Sequence, residues 1–344
     1  MNDLMKLLSI KKPIIQAPMA GGAVTPRLAA AVSNAGGLGS IASGYLNPDV
    51  LETQLLEMKQ QTDRPFQVNL FVPKHEKALE EEQVQRWKGI IPHSDKARPF
   101  ASIQDDWQDF YQKVDLLLKH QVEICSFTFD LPPEDAVKKL KGAGCILLGT
   151  ACSAEEAILM EERGMDAVVL QGVEAGGHQG ASLPESKPVE LPTLITETVG
   201  RIGIPVVAAG GITDEKGVRE ALELGAQCVQ AGTAFLVCKE SAAHPVHKQQ
   251  IFNASASDTR LTKVFSGKEA RGIVNAWIKE NEHREQDALP YPYLNTLTKP
   301  MRQEAAKQND PSRMSLWAGQ GVGQLNSEMS VEELMEQLWK SKQN

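Results

Sequence analysis

Short apolar runs separated by longer amphipathic stretches constrain this chain more than any other feature. The runs are Pro13–Met19, Leu38–Ser43, Phe66–Val72, Ile124–Phe129, Cys145–Ala151, Ala167–Gln171, Pro205–Ala209 and Cys228–Ala231. Each is close to continuously hydrophobic, which suits a strand buried on both faces in a parallel sheet. Parallel neighbours need a crossover, and an amphipathic helix supplies one. Eight such units with right-handed crossovers close most naturally into a (β/α)8 TIM barrel, with a doubly wound open sheet as the second choice.

The helix signals agree. Thr25–Asn34 places Leu28, Ala31 and Val32 on one face and breaks at Gly36 and Gly37. Ser153-Ala154-Glu155-Glu156 reads as a capping box, with its helix ending at Gly164. Thr213 and Asp214 open another helix that stops near Gly225. Two stretches exceed the minimal unit: a charged, helical insertion after the third strand (about residues 74–116, with Trp87 and Trp107) and a C-terminal extension (about 241–344). Such additions cover a barrel mouth or join copies of a chain, so a homo-oligomer stays open. Residues 1–344 are read as a single barrel domain, because barrels of this length commonly form one.

Composition narrows the partners. A net charge of -8 leaves no basic surplus for a nucleic-acid polyanion. The five cysteines stand singly, four of them in or beside apolar runs, which fits a reducing cytoplasm better than a disulfide scaffold. No signal peptide is expected, and no window approaches the roughly 20 apolar residues of a membrane span. No metal-ligand spacing occurs, and no G-x-G-x-x-G follows the first strand.

In a barrel the chemistry sits on the loops after the strand C-termini. After the sixth run comes Gln171–Gly180 (QGVEAGGHQG), after the seventh Gly210-Gly211-Ile212-Thr213, and after the eighth Gln230-Ala231-Gly232-Thr233. Glycines in the last two loops let several backbone N–H groups close on a phosphate, where a Cβ would block the approach; a tight turn alone would also use them. Asn69 and Gln171 are amides in otherwise apolar strands and need partners, either a ligand edge or nearby backbone. His178 stands among Gly176, Gly177 and Gly180, with an ordinary imidazole pKa near 6.5 suited to taking a proton from a carbon acid. The other six histidines lie in charged segments that read as solvated. Glu174 is a second acid with no assigned role.

Pro13–Gly22 (PIIQAPMAGG), Ala29–Gly39 (AAAVSNAGGLG), Phe66–Pro73 (FQVNLFVP), Gly172–Gly180, Ala208–Ile212 (AAGGI) and Gln230–Thr233 together resemble the nitronate monooxygenase family, formerly the 2-nitropropane dioxygenases. Tyr291–Arg302 and Trp317–Gly321 (WAGQG) look like the end of its class I branch. The resemblance implies a barrel with non-covalent FMN. Flavin contacts would come from Ala17, Pro18, Met19, Asn69, Gln171, Gly176, Gly210, Gly211, Gln230, Ala231, Gly232 and Thr233. It implies oxidative denitrification, in the cytoplasm and as a detoxification, of an alkyl nitronate or nitroalkane (such as propionate 3-nitronate) with O2 to a carbonyl compound and nitrite. His178 would be the catalytic group near the flavin, as base for a neutral nitroalkane or as anion binder for a nitronate. Tyr291, Tyr293 and Lys299 are candidate substrate contacts. One departure is Thr128 in Ser126-Phe127-Thr128-Phe129, where several class I relatives carry a histidine.

Similar motifs occur in flavin-dependent enoyl-acyl carrier protein reductases, although the insertion and tail depart from that compact layout. An NAD(P)H:quinone reductase and a non-catalytic flavin binder complete the alternatives.

Overall fold

The computed structural model describes residues 2–74, 79–180, 182–183 and 187–340. All eight apolar runs become strands: β1 Ile14–Gln16, β2 Gly39–Ala42, β3 Phe66–Phe71, β4 Ile124–Thr128, β5 Ile146–Ala151, β6 Ala167–Gln171, β8 Val206–Ala209 and β9 Cys228–Ala231, with a short β7, Gly177–His178, between the sixth and seventh. The eight run parallel in the order β1-β9-β8-β6-β5-β4-β3-β2. An Ile15–Leu38 bridge closes the ring, with Leu38 N–H donating to Ile14 O and Gln16 N–H to Leu38 O, both at 2.9 Å.

Side chains alternate along each strand as the pleat requires. Ile15, Leu148, Val169, Val207 and Cys228 fill the barrel, while Ile14, Val68, Leu147, Val168, Val206 and Val229 face the helices. The inner cluster includes Leu4, Met5 and Leu8, because an N-terminal helix, Asp3–Leu7, plugs the bottom of the barrel. Leu4 N–H donates to Gln227 Oε1 at 2.9 Å, tying the plug to the residue before β9.

Helix starts follow the capping residues. Thr25 caps Pro26–Asn34, Ser153 caps Ala154–Glu162 and Asp214 caps Glu215–Glu223. The capping box at Ser153 forms only by half. Glu156 turns away from the Ser153 backbone and accepts instead from Cys152 N–H at 2.6 Å, Ser182 N–H at 2.9 Å and Leu183 N–H at 2.8 Å. It is fully buried, and its carboxylate ties the loop beyond β7 to the start of this helix.

Within the insertion, Glu81–Ile90 is a helix, and Ile103–Lys119 packs against β3 in the place of the third crossover. Val84, Trp87 and Ile91 share a separate apolar cluster with Phe265, Trp277, Leu294, Leu297 and Met301 of the C-terminal extension. Trp87 Nε1–H donates to Asp287 O at 2.7 Å. The extension also contributes β10, Thr259–Thr262, and β11, Ala270–Ile273, and β11 pairs antiparallel with β7. The five cysteines are buried and none is in a disulfide. Among the described residues no helix is long and apolar enough to cross a membrane, and no group of three or more His, Cys, Asp or Glu gathers to hold a metal.

Candidate active site

The loop after β6 reaches the mouth and is then captured by the tail. Gly177 takes φ +76°, a conformation open to glycine, and turns the chain into β7. There His178 pairs with Ala270 and Gly177 with Arg271 of β11. Gln171 brackets this turn: its Nε2 donates to His178 O at 3.0 Å and its Oε1 accepts from Gly180 N–H at 2.6 Å. The amide of Gln171 is therefore satisfied by the backbone on either side of the histidine. Arg271 braces the same loop through Nε, which donates to Val173 O at 2.7 Å.

His178 is half-buried, and its Nε2 lies 2.9 Å from Ser266 Oγ. Aromatic rings surround it: Phe129 at 5.8 Å, Tyr291 at 5.7 Å and Trp317 at 5.6 Å between centroids. Phe129 holds φ +87°, an uncommon conformation for a bulky residue at the end of β4, and is contacted by Phe71 at 4.4 Å. Desolvation, with the positive charges of Lys268 and Arg302 behind it, pushes the His178 pKa down to about 3. This corrects the ordinary value assumed from sequence. The imidazole is neutral at physiological pH and too weak a base to draw a proton from a nitroalkane unaided. Nor are all the remaining histidines solvated: His247 is half-buried with Nε2 3.1 Å from Trp317 O, and burial takes its pKa down to about 4.

The glycine-rich rims converge. Gly210 (φ +138°) and Gly211 (φ +69°) follow β8, and a Cβ on Gly211 would meet the Glu174 side chain at 3.3 Å. Beside them the WAGQG segment of the tail packs close. Gly319 N–H donates to Thr233 Oγ1 at 2.9 Å, and Gln320 N–H to Glu174 O at 3.0 Å. A Cβ on Gly176 would strike Gly319 N at 2.5 Å, so this glycine is required for tail packing. At Gly232 the nearest side chains are Ala17 and Met19, 3.4 and 3.6 Å from where a Cβ would stand. Ala17 and Pro18 follow β1, and Ala17 N–H donates to Ala231 O at 2.8 Å. Ala17, Pro18, Met19, Gly210, Gly211, Ala231, Gly232 and Thr233 thus lie at or just beyond the C-terminal ends of neighbouring strands on the rim.

Inside the barrel mouth Asn69 donates from Nδ2 to Ser126 Oγ at 3.1 Å and Thr128 Oγ1 at 3.0 Å, while its buried Oδ1 has no partner. Gln230 is half-buried on β9 opposite Ala209. Of the tail candidates, only Tyr291 contacts the His178 ring. Tyr293 packs edge-on to Phe100 at 5.0 Å, and Lys299 is exposed on the helix Tyr293–Lys307. Sequence reading passed over Ser266, Lys268 and Tyr45, none of which stands in a recognisable motif. Only folding brings Ser266 to His178, Lys268 over Phe129 and Tyr45 to Tyr291.

A family model described as nitronate monooxygenase matches residues 2–341. A Bacillus subtilis (strain 168) protein named as a probable nitronate monooxygenase is 60% identical over 98% of each chain. A Staphylococcus aureus (strain Newman) protein of the same description is 42% identical over 93% of this chain and 91% of its own. Among solved structures, nitroalkane oxidase from Streptomyces ansochromogenes superposes with a TM-score of 0.90 at 36% identity, covering 98% of this chain and 96% of that one. FabK from Thermotoga maritima does so at 0.79 and 30%, covering 98% and 94%.

Proposed function

The chain belongs to the nitronate monooxygenase family of oxidoreductases, and from that premise we propose that it binds FMN at the barrel mouth and oxidises preformed alkyl nitronates with O2. The observation that carries this reading is a neutral imidazole beside a mouth that still holds unspent polar groups. Asn69 Oδ1 is a buried acceptor without a donor, and a buried orphan of this kind costs about 1–3 kcal/mol unless a ligand supplies the partner. A flavin ring edge or ribityl hydroxyl has such donors. The positive-φ glycines after β8 suit a turn whose N–H groups face a phosphate. These residues fit the group. Asn69 and Gln230 would hold its ring or ribityl chain, Gly210, Gly211, Gly232 and Thr233 its phosphate, and Ala17, Pro18 and Met19 would lie along the ring. Gln171 and Gly176 act in this reading by shaping the loop and the tail that enclose it. Barrel, insertion and tail are read as one domain.

The chemistry FMN supplies when bound is one-electron transfer between a nitronate and dioxygen. Two nitronate anions and one O2 then give two carbonyl compounds and two nitrite ions, which balances oxygen and charge. The protein excludes water with Phe129, Tyr291 and Trp317 and keeps His178 uncharged through burial. A neutral imidazole, its one N–H held by Ser266, lines the mouth without removing a proton, which a preformed nitronate does not require. Neutral nitroalkanes would need a stronger base than a group of pKa about 3. Purified protein should release FMN on heating and should form nitrite from propionate 3-nitronate in a 2:1 ratio to O2 consumed. A colourless protein that stays inactive after incubation with FMN would refute the proposal.

A further inference from the structure

Among the described residues the Arg302 guanidinium has no counter-ion. Its Nη2 donates to the backbone and side-chain oxygens of Asn295, each at 2.8 Å, and its buried Nε meets no acceptor. Cations withdrawn from water are normally paired, because an isolated one is costly to desolvate. An unpaired one therefore marks a place where an anion belongs. Asn295 lies seven residues earlier on the helix Tyr293–Lys307, so the guanidinium runs back toward the helix start, where Tyr291 stands. The Tyr291 hydroxyl is 3.5 Å from that of Tyr45, and its ring is 5.7 Å from His178. Lys268 Nζ, over Phe129 at 5.3 Å, adds a second positive charge to this side of the histidine. Burial drives the pKa of the Tyr291 phenol well up, and the negative charge of Asp106 adds to the rise. Both hydroxyls therefore stay protonated and able to donate.

We propose that Arg302, with the hydroxyls of Tyr45 and Tyr291, anchors an oxyanion of the substrate and so selects charged substrates over neutral nitroalkanes. This rests on the nitronate reading above. The oxyanion is either the nitronate group itself or a carboxylate elsewhere on the same molecule, since both are planar and match a guanidinium edge.

Calorimetric titration of the purified protein needs no turnover, so it is independent of the oxidase reading: an inactive protein can still bind anions through Arg302, and an active one can fail to. The probes are nitrate (a trigonal oxyanion), 3-nitropropionate (a carboxylate on a neutral nitroalkane) and 1-nitropropane. Arg302→Met should weaken at least one anion by about tenfold or more, leave 1-nitropropane unchanged, and be only partly rescued by Arg302→Lys, which restores the charge but not the planar fork. A loss confined to nitrate assigns the nitronate end, and one confined to 3-nitropropionate assigns a carboxylate end. Should Arg302→Met fail to fold, Arg302→Gln, which keeps donors toward Asn295 while removing the charge, carries the same comparison. Anion affinity unchanged within about twofold, an equal loss for 1-nitropropane, or no anion binding by the wild type would each overturn the proposal.

Discussion

His178 Nε2 and Ser266 Oγ meet at 2.9 Å across the junction of barrel and tail. Ser266 Oγ also lies 3.1 Å from Lys268 O, which can only accept. The hydroxyl proton therefore goes to that carbonyl, and Nε2–H donates to Ser266 Oγ. This fixes the tautomer and leaves Nδ1 as the lone-pair edge of the ring. Ser266→Ala should free the tautomer and ring orientation. Turnover of nitronate should fall by about tenfold, the weight of one lost positioning hydrogen bond, while flavin content holds. Steady-state kinetics beside an absorbance spectrum checks both.

A neutral His178 predicts a particular pH response. Folded His178 titrates at about 3 and His247 at about 4, against roughly 6.5 in the unfolded chain. Between those limits the unfolded state binds more protons, so stability rises with pH from about 4 to about 6.5 and levels off above. Urea unfolding across that range should show the slope, and His178→Asn should make it shallower. kcat/KM for a nitronate should show no inflection from His178 above pH 6.5.

Glu156 supports the loop carrying the histidine from a distance. Its carboxylate satisfies the N–H groups of Cys152, Ser182 and Leu183, and Lys74 Nζ donates to Ser182 O at 2.7 Å from the other side. Glu156→Ala should leave those donors without acceptors and lower the unfolding free energy by about 2–4 kcal/mol, measured by urea titration.

Gly211 tests the phosphate cradle. At φ +69° a β-branched residue is strained, and its side chain would press on Glu174. Gly211→Val should lower FMN affinity by about tenfold or more, read by flavin fluorescence on dilution, with a stability loss of about 1–3 kcal/mol. Unchanged affinity would place the phosphate elsewhere.

The barrel was legible because each strand carries its own signal, a short apolar run between helix caps, which needs no distant partner to be read. The rim glycines were legible for the same reason. His178 was found by its glycine neighbours, but its environment was not: Ser266 is 88 residues away and Tyr45 meets Tyr291 across 246. A serine in Ser266-Gly267-Lys268 or an arginine late in a helix has no local signature. The pairing of β7 with β11 was equally hidden, since a two-residue strand has no period. Gly176 shows what a local reading leaves out: it is expected at a cofactor, and its missing Cβ also makes room for Gly319. The ordinary His178 pKa was overturned because burial is a property of the assembled mouth.

The most direct test of a flavin site working on preformed nitronates is anaerobic mixing of the purified protein with propionate 3-nitronate, and separately with NADH and NADPH, followed in the visible spectrum. Reduction of the flavin by the nitronate without any pyridine nucleotide is the result predicted. Bleaching by NADH or NADPH alone, with the nitronate inert, would contradict it and place this mouth among the reductases.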